Sequence, residues 1–170
     1  MKSIILIGFM GSGKSTVARA LSELSGLSFA DIDELIEERY KMTVSDFFEK
    51  FGEDEFRKVE GEVLSDLLES GEEMIIATGG GLPVFLKDKA LLSKGLTVYL
   101  EVDPQTVLSR LDGDSTRPLL SGDDKAETIT EMLRVRGPIY KSLARICVSA
   151  SCDAKNIAKM IFSAYTNLEK

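Results

Sequence analysis

A glycine-rich stretch near the start of the chain carries residue types that bind phosphate. Residues 8–16 read Gly-Phe-Met-Gly-Ser-Gly-Lys-Ser-Thr and match the phosphate-binding loop pattern G-x-x-x-x-G-K-[ST]. Glycine permits a close backbone approach that a Cβ would block, so the amides of the loop can surround a phosphate. Lys14 adds a cation for the β- and γ-phosphates, and the Ser15 hydroxyl is placed to ligate Mg²⁺. The predicted nucleotide contacts here are Gly11, Ser12, Gly13, Lys14, Ser15 and Thr16.

A strand and a helix must hold this loop in place. An apolar run predicts a strand over Ser3–Phe9, and the residues after the glycines predict a helix from about Lys14 to Ser25. A strand-to-helix junction is the setting in which the motif binds phosphate. The alternative is a plain glycine-rich turn, which the strand-to-helix setting makes the weaker interpretation.

Further apolar runs predict four more strands, with helices between them. These strands are expected at 27–30, 74–77, 97–101 and 145–149. The helices include a single one over 84–93 and one that starts near Lys125 and that Pro138 should kink or break. Strands that alternate with helices five times predict an α/β protein with a parallel sheet and helices on both faces. Ligands bind such sheets at the carboxyl ends of the strands, so the residues just after each strand are the candidates.

Two carboxylates follow the second predicted strand. If the backbone stays extended there, Asp31 and Asp33 point to the same side. One could act on Mg²⁺ through a water molecule, and the other could accept a proton or bind substrate hydroxyls. The alternative is an acidic turn that caps a helix starting at Glu34. Because a magnesium nucleotide needs a carboxylate nearby, we favour the functional interpretation.

Other candidate residues each allow two interpretations. Arg57 and Glu60 lie three apart on a predicted helix and could be a binding pair or a surface ion pair worth under ~1 kcal/mol. The run Gly79-Gly80-Gly81 follows a strand and could offer main-chain amides to a ligand or simply form a sharp turn. Arg117 is a cation in an acidic stretch with little apolar content, and Arg136 lies on a helix with other arginines. Either arginine could bind an anion or be solvated.

Composition limits the classes of function. The chain has 170 residues, with 21 basic and 28 acidic side chains and a net charge of −7, which argues against non-specific nucleic-acid binding. It has no histidine, so a general base must be a carboxylate or a less common group. Two cysteines without histidine do not make a typical zinc site, and we expect reduced thiols in a cytoplasm. No stretch is apolar enough to span a membrane, and the short N-terminal run is not read as a secretion signal, because cleavage would remove the phosphate loop.

Taken in order along the chain, these residues resemble the shikimate kinases, a family of small P-loop kinases of the nucleoside monophosphate kinase type. The matching segments are 8–16, 31–33, 56–60, 78–81, 117–120 and 136–140. The resemblance implies a three-layer P-loop kinase fold with a five-stranded parallel sheet of order 2-3-1-4-5. It implies a single kinase domain over residues 1–170, with a core of 1–31, 61–111 and 125–170. A substrate-binding region would cover about 32–60, and a lid about 112–124.

The same resemblance implies ATP-dependent phosphorylation of the 3-hydroxyl of shikimate, with Mg²⁺, in the biosynthesis of chorismate and the aromatic amino acids. Arg57 and Arg136 would hold the shikimate carboxylate, because a guanidinium matches a carboxylate with two hydrogen bonds. Glu60 would orient Arg57. Asp33 would hold hydroxyls together with Gly79–Gly81, and Asp33 is the candidate base.

On the nucleotide side, the resemblance implies that Lys14 and Arg117 stabilise charge on the transferring phosphoryl group. Arg117 would arrive when the lid closes, which also excludes water. Ser15 and Asp31 would hold Mg²⁺, with Asp31 acting through water. Arg110 would contact the nucleotide base. The expected partners are shikimate and ATP alone, with no nucleic acid or membrane, and the expected state is a monomer.

Two other functions stay open at this point. The first is another small-molecule P-loop kinase, such as one for gluconate or a nucleoside monophosphate, and a paired-arginine site makes the acid gluconate the closer rival. The second is a nucleotide-dependent switch without its own phosphoryl acceptor. The guanine-binding pattern Asn-Lys-x-Asp does not occur in the sequence, which argues against a GTPase switch.

Overall fold

The centre of the fold is a sheet of five parallel strands in the order β2-β3-β1-β4-β5. The structure, a computed structural model, describes residues 2–111 and 124–168. The strands are β1 Ile4–Ile7, β2 Ser28–Asp31, β3 Met74–Ala77, β4 Leu96–Glu101 and β5 Ile146–Ser149. The strand order confirms the prediction.

The register of the central strand explains how the sheet positions a site. In β1, Leu6 pairs with Ala77 of β3 on one side and with Val98 of β4 on the other, and Ala77 pairs in turn with Asp31 of β2. All four residues of β1 and all four of β3 are buried, as expected for strands covered on both faces. Three chain segments therefore leave the same edge of the sheet side by side, after β1, β2 and β3.

Nine helices are described in residues 2–111 and 124–168, and they pack around the sheet. They are α1 Lys14–Ser25, α2 Ile32–Tyr40, α3 Val44–Phe51, α4 Glu53–Glu69, α5 Leu82–Phe85, α6 Ala90–Ser93, α7 Pro104–Leu111, α8 Lys125–Leu143 and α9 Ala154–Leu168. Helix α1 packs against α9 and against β1 to β3, while α8 packs against β4, α5 and α7. Helices α2 and α3 pack against α4 beside the sheet. Within the described ranges no helix is both long and apolar enough to cross a bilayer.

Local capping explains several helix starts. The Thr43 hydroxyl accepts from the Asp46 amide at 3.1 Å, and the Asp46 carboxylate accepts from the Thr43 amide at 3.4 Å. This reciprocal capping box starts α3, and threonine followed three residues later by an acidic residue is a sequence pattern typical of such a start. The Asp103 carboxylate accepts from the Thr106 amide at 2.8 Å and caps α7, in which Pro104 takes the first position.

One helix prediction is wrong, and in a second the structure excludes a break at Pro138, which was one of its two alternatives. The single helix expected over 84–93 is two short ones, α5 and α6, and the Asp88 carboxylate between them accepts from the Ala90 amide at 3.0 Å. That bond favours a new helix start over continuation. Helix α8 is not broken at Pro138 but runs through it to Leu143. Pro138 has no N–H to donate to the carbonyl of Arg134, four residues earlier. Both residues are exposed, so water can reach that carbonyl.

Candidate active site

The phosphate loop, residues 8–16, needs glycine at three positions. Gly11 and Gly13 have φ of 73° and 87°, in the left-handed region that other residues avoid. Gly8 has φ of 151°, and a Cβ on it would lie 2.8 Å from the Leu100 carbonyl oxygen of β4. The loop therefore packs tightly at the end of β1. It turns directly into α1, and the first amides of a helix are groups that bind anions.

Lys14 points back over the loop. Its buried ammonium donates to the carbonyl oxygens of Gly8 and Phe9, both at 2.9 Å, and contacts the Ser12 hydroxyl at 3.4 Å. A cation is thus held next to the amides that the loop presents. The arrangement concentrates positive charge at the start of α1 in an otherwise acidic protein.

Asp31 joins the loop to the next segment of chain. The Ser15 hydroxyl donates to Asp31 Oδ2 at 2.5 Å, and Asp31 Oδ1 accepts from the Asp33 amide at 3.0 Å. Asp31 therefore caps α2, which begins at Ile32, so the expectation of an extended backbone through Asp33 is wrong. The capping alternative describes the local structure, with the helix starting two residues earlier than Glu34. Capping leaves Asp31 beside Ser15, and two oxygen ligands of the kind that Mg²⁺ prefers are adjacent.

Arg57 and Glu60 are not a surface ion pair, because Glu60 is buried and Arg57 is only 14% exposed. Glu60 is 0% exposed and its Oε2 accepts from Arg57 Nη1 at 2.6 Å. Glu53 Oε1 accepts from Arg57 Nη2 at 2.8 Å and from Nε at 3.2 Å. The surface interpretation is therefore wrong, and two glutamates of α4 hold the guanidinium in one orientation.

Burial sets the electrostatics of this pair. Burial raises the pKa of Glu60 to about 7, although the neighbouring Arg57 opposes the shift and Asp33 adds to it. Burial also disfavours the charged form of Arg57, but Glu60 and Glu53 more than offset this, so the pKa of Arg57 is raised. Arg57 therefore stays a cation, while Glu60 can change its charge near neutral pH.

Aromatic rings surround the guanidinium groups. The centroids of Phe48, Phe56 and Phe85 lie 5.5, 5.4 and 5.0 Å from Arg57 Cζ. Phe85 also lies 5.6 Å from Arg136 Cζ. We call Arg57, Arg136, Glu53, Glu60 and Phe85 the arginine clamp. The rings and Glu53 were not predicted as site residues, and Phe85 had no signal because it lay in a stretch expected to be an ordinary helix.

The triple glycine, Gly79–Gly81, lies against both the arginine clamp and the phosphate loop. A Cβ on Gly79 would overlap Glu60 Oε1 and lie 2.9 Å from Asp33 Oδ1, and one on Gly81 would overlap the Arg57 guanidinium. A Cβ on Gly80 would lie 3.1 Å from the amide nitrogen of Met10 in the phosphate loop. A side chain at 79 or 81 would therefore have to displace Glu60 or Arg57 from its position, and the segment connects the clamp to the loop.

Tyr140 holds this segment from α8. Its buried hydroxyl donates to the Gly80 carbonyl at 2.6 Å, and its ring packs 5.3 Å from that of Tyr99. Burial raises the pKa of Tyr140 to about 12, against the effect of nearby Arg136, so the hydroxyl stays a donor. Tyr140 belongs to a matched segment but was given no role. Tyr140 lies four residues after Arg136 on the same helix, and this spacing could have indicated that both face the site.

Arg110 of α7 connects the phosphate loop to the segment after β5. Its Nη1 donates to the Gly11 carbonyl at 3.0 Å and its Nη2 to the Ala150 carbonyl at 2.9 Å. Arg117 and residues 112–123 of the predicted lid lie outside the described residues. The two cysteines, Cys147 and Cys152, are exposed and not joined in a disulfide.

The structure places the remaining predicted residues that it describes in two adjoining groups. Around the loop are Gly11, Ser12, Gly13, Lys14, Ser15, Asp31 and Arg110, and around the triple glycine are Asp33, Arg57, Glu60 and Arg136. Thr16 is exposed on α1. The arrangement can bind a polyphosphate beside an organic carboxylate. No group of three or more acidic, cysteine or histidine residues that could alone hold a metal occurs in the described ranges.

Comparison with known proteins identifies relatives over the whole chain. A family model described as shikimate kinase matches residues 10–166. A shikimate kinase of Sulfurihydrogenibium sp. is 39% identical over 100% of this chain and 99% of its own length. The structure of shikimate kinase from Acinetobacter baumannii in complex with shikimate superposes with a TM-score of 0.92 at 34% identity, covering 98% of this chain and 94% of that one. A gluconokinase from Sinorhizobium meliloti shares only the fold, with a TM-score of 0.57 at 16% identity over 98% of this chain and 93% of that one.

Proposed function

The chain belongs to the shikimate kinase family, and we propose that it transfers the γ-phosphoryl group of ATP to the 3-hydroxyl of shikimate. The products are shikimate 3-phosphate and ADP, in the route to chorismate and the aromatic amino acids. The observation that carries this proposal is the arginine clamp, which adjoins the phosphate loop through Gly79–Gly81. A phosphoryl donor and an organic acid can thereby lie next to each other.

The clamp is suited to a carboxylate. A guanidinium has five N–H groups, and Glu53 and Glu60 use three of those on Arg57. One N–H on each terminal nitrogen is not used by these glutamates, and guanidinium N–H groups are strong donors to a carboxylate. Arg136 approaches the same ring, Phe85, and supplies a second cation. Each charge-assisted hydrogen bond would contribute about 1.5–3 kcal/mol to binding.

Asp33 is the group proposed to receive or orient the attacking hydroxyl. Its Oδ1 lies at Gly79, between the clamp and the phosphate loop, where Glu60 Oε1 also lies. Gly79, Gly80 and Gly81 would contact the other hydroxyls of shikimate through their backbone. Phosphoryl transfer passes through a loose transition state, so position matters more here than base strength.

The phosphate loop is proposed to hold ATP. The backbone amides of residues 11–16 and the Lys14 ammonium would surround the phosphates. Arg110 would contact the nucleotide base, because it donates to the Ala150 carbonyl in the segment after β5. Arg117 is proposed to reach the transferring phosphoryl group from the lid. Ser15 and Asp31 fit Mg²⁺, because their oxygens are adjacent and hard, with Asp31 acting through water. The metal would screen the negative charge of the phosphates.

The first experiment is to measure ADP release from Mg·ATP with and without shikimate. We expect release to depend strongly on shikimate, because an open site without acceptor should hydrolyse ATP slowly. Gluconate is the matched comparison, since it offers a carboxylate and hydroxyls without the ring. Faster release with gluconate than with shikimate would overturn the proposal. A rate of ADP release that is the same with shikimate, with gluconate and with neither would favour a nucleotide switch.

We further propose that the enzyme acts in the cytoplasm as a monomer on small molecules, without a nucleic-acid or membrane partner. The net charge of −7 supports the lack of nucleic-acid binding, because a DNA-binding surface needs excess positive charge. Light scattering on the eluting protein measures the mass directly. A dimer would contradict the monomer.

A further inference from the structure

Phe85 lies where two positive charges meet. It ends α5, directly after the triple glycine, and it is 45% exposed. Arg57 Cζ lies 5.0 Å and Arg136 Cζ 5.6 Å from the centroid of its ring. Both distances are within the ~6 Å at which a ring face attracts a cation. One exposed side chain therefore contacts both arginines that are proposed to hold the carboxylate.

Packing alone does not account for this ring. Leu82 and Pro83 are buried and anchor α5, so the helix does not depend on Phe85 for its place in the core. A single exposed phenylalanine needs no explanation. Two guanidinium groups beside the same ring do need an explanation, because like charges repel each other. The electron-rich face of an aromatic ring offsets that repulsion.

The two arginines depend on the ring to different degrees. Arg57 also has Phe48, Phe56, Glu53 and Glu60 around it. For Arg136, Phe85 is the one cation–π contact found in the described part of the chain, and Arg136 also has a hydrogen bond with the Tyr140 side chain. Loss of the ring should therefore release Arg136 more than Arg57, and the clamp would lose its second cation before its first.

We propose that Phe85 is a positioning and specificity-determining residue, whose ring holds Arg57 and Arg136 in a shared orientation toward the carboxylate of a cyclic acid. This inference rests on the proposed function. The exposed part of the ring supplies an apolar surface next to the carboxylate, which suits the carbon ring of shikimate and offers nothing to a linear polyhydroxy acid. The residue acts through the two guanidinium groups and takes no part in the phosphoryl transfer.

The test compares Phe85→Leu with Phe85→Tyr, since tyrosine keeps the ring. For Phe85→Leu we expect the KM for shikimate to rise roughly 5- to 30-fold, because two cation–π contacts are lost. The kcat, the KM for ATP and the melting temperature should stay near the wild-type values. Phe85→Tyr should restore most of the affinity for shikimate.

The control is Phe51→Leu. Phe51 is 44% exposed and contacts a cation, Lys50, at 5.0 Å, but it ends α3 and contacts neither arginine in the described structure. It should leave the KM for shikimate unchanged. A second probe is the carboxamide of shikimate, which lacks the negative charge. The difference between wild type and Phe85→Leu should shrink to within about twofold for the amide, because the arginines then have no anion to hold.

The outcomes separate this inference from the proposed function. Wild-type enzyme that does not phosphorylate shikimate overturns both. Wild-type enzyme that uses shikimate, with an unchanged KM in Phe85→Leu, overturns the inference alone. The inference also fails if Phe51→Leu raises the KM equally, if Phe85→Tyr does not restore affinity, or if the amide shows the same loss as the acid.

Discussion

The phosphate loop and the arginine clamp, the two proposed anion sites, are built in different ways. The loop is nine consecutive residues that use backbone amides and one lysine, and its shape depends on glycine dihedrals. The clamp combines side chains from α4, α5 and α8, which are far apart in the chain. A site of the first kind is local, whereas a site of the second kind exists only after the helices pack.

The difference extends to charge. The loop would bind an anion with main-chain dipoles, which need no counter-ion when buried. The clamp keeps a guanidinium beside two glutamates, and one of these is fully buried. Burial of charge costs free energy unless it is paired, so the clamp is sensitive to loss of a partner and to pH. The following variants test whether the two sites are separable in this way.

Lys14→Ala should have the largest effect. The loop keeps its amides but loses its cation, and we expect kcat to fall by about 10³-fold or more, because charge on the transferring group is no longer offset. Shikimate binding, measured by calorimetry, should be nearly unchanged if the clamp is independent. A comparable loss of shikimate affinity would show that the two sites are not separable.

Arg136→Ala and Arg57→Ala should come next. Each should lower kcat/KM for shikimate by about 10²- to 10³-fold, the equivalent of two lost charge-assisted bonds, with ATP affinity nearly intact. The two variants should differ in stability, since only Arg57→Ala leaves the buried Glu60 without its partner. This loss should lower the free energy of unfolding by about 3–5 kcal/mol. Denaturant unfolding measures that difference. Loss of ATP affinity in either variant would contradict the assignment to the clamp.

The smallest effect concerns pH. Because burial raises the pKa of Glu60 from 4.5 to about 7, the folded state holds this proton more tightly than the unfolded state between those values. The free energy of unfolding should therefore fall as pH rises from about 4.5 to 7, by roughly 1–3 kcal/mol from this group. Glu60→Gln should remove that fall.

The matched control for the pH prediction is Glu62→Gln, on the same helix. Glu62 is 49% exposed, so its neutralisation should leave the pH dependence of stability as it is in the wild type. Both variants are compared by unfolding at a series of pH values. A pH profile of Glu60→Gln that matches the wild type would show that Glu60 is not the group responsible.

Prediction from sequence succeeded where a short segment carries its own signal. The parallel sheet follows from the alternation of apolar strands and helices, and its strand order was implied by the family resemblance. The bounds of α1 follow from the glycines before it and Gly26 after it. The capping box at Thr43 is also local. Prediction failed at Asp88, where a side-chain bond started a new helix, and at Glu60, whose burial depends on helix packing. At Pro138 the helix continues without a break.

What the sequence determined by itself is the phosphate loop, the parallel sheet and the list of residues that could meet at its edge, because dihedral preference and hydrophobic period act over a few residues. Tertiary structure alone decided that Glu60 is buried, that Asp31 caps α2 beside Ser15, and that Phe85 contacts both arginines. Those facts depend on which helices approach one another. Burial, and with it the pKa of a carboxyl group, is a property of the packed chain.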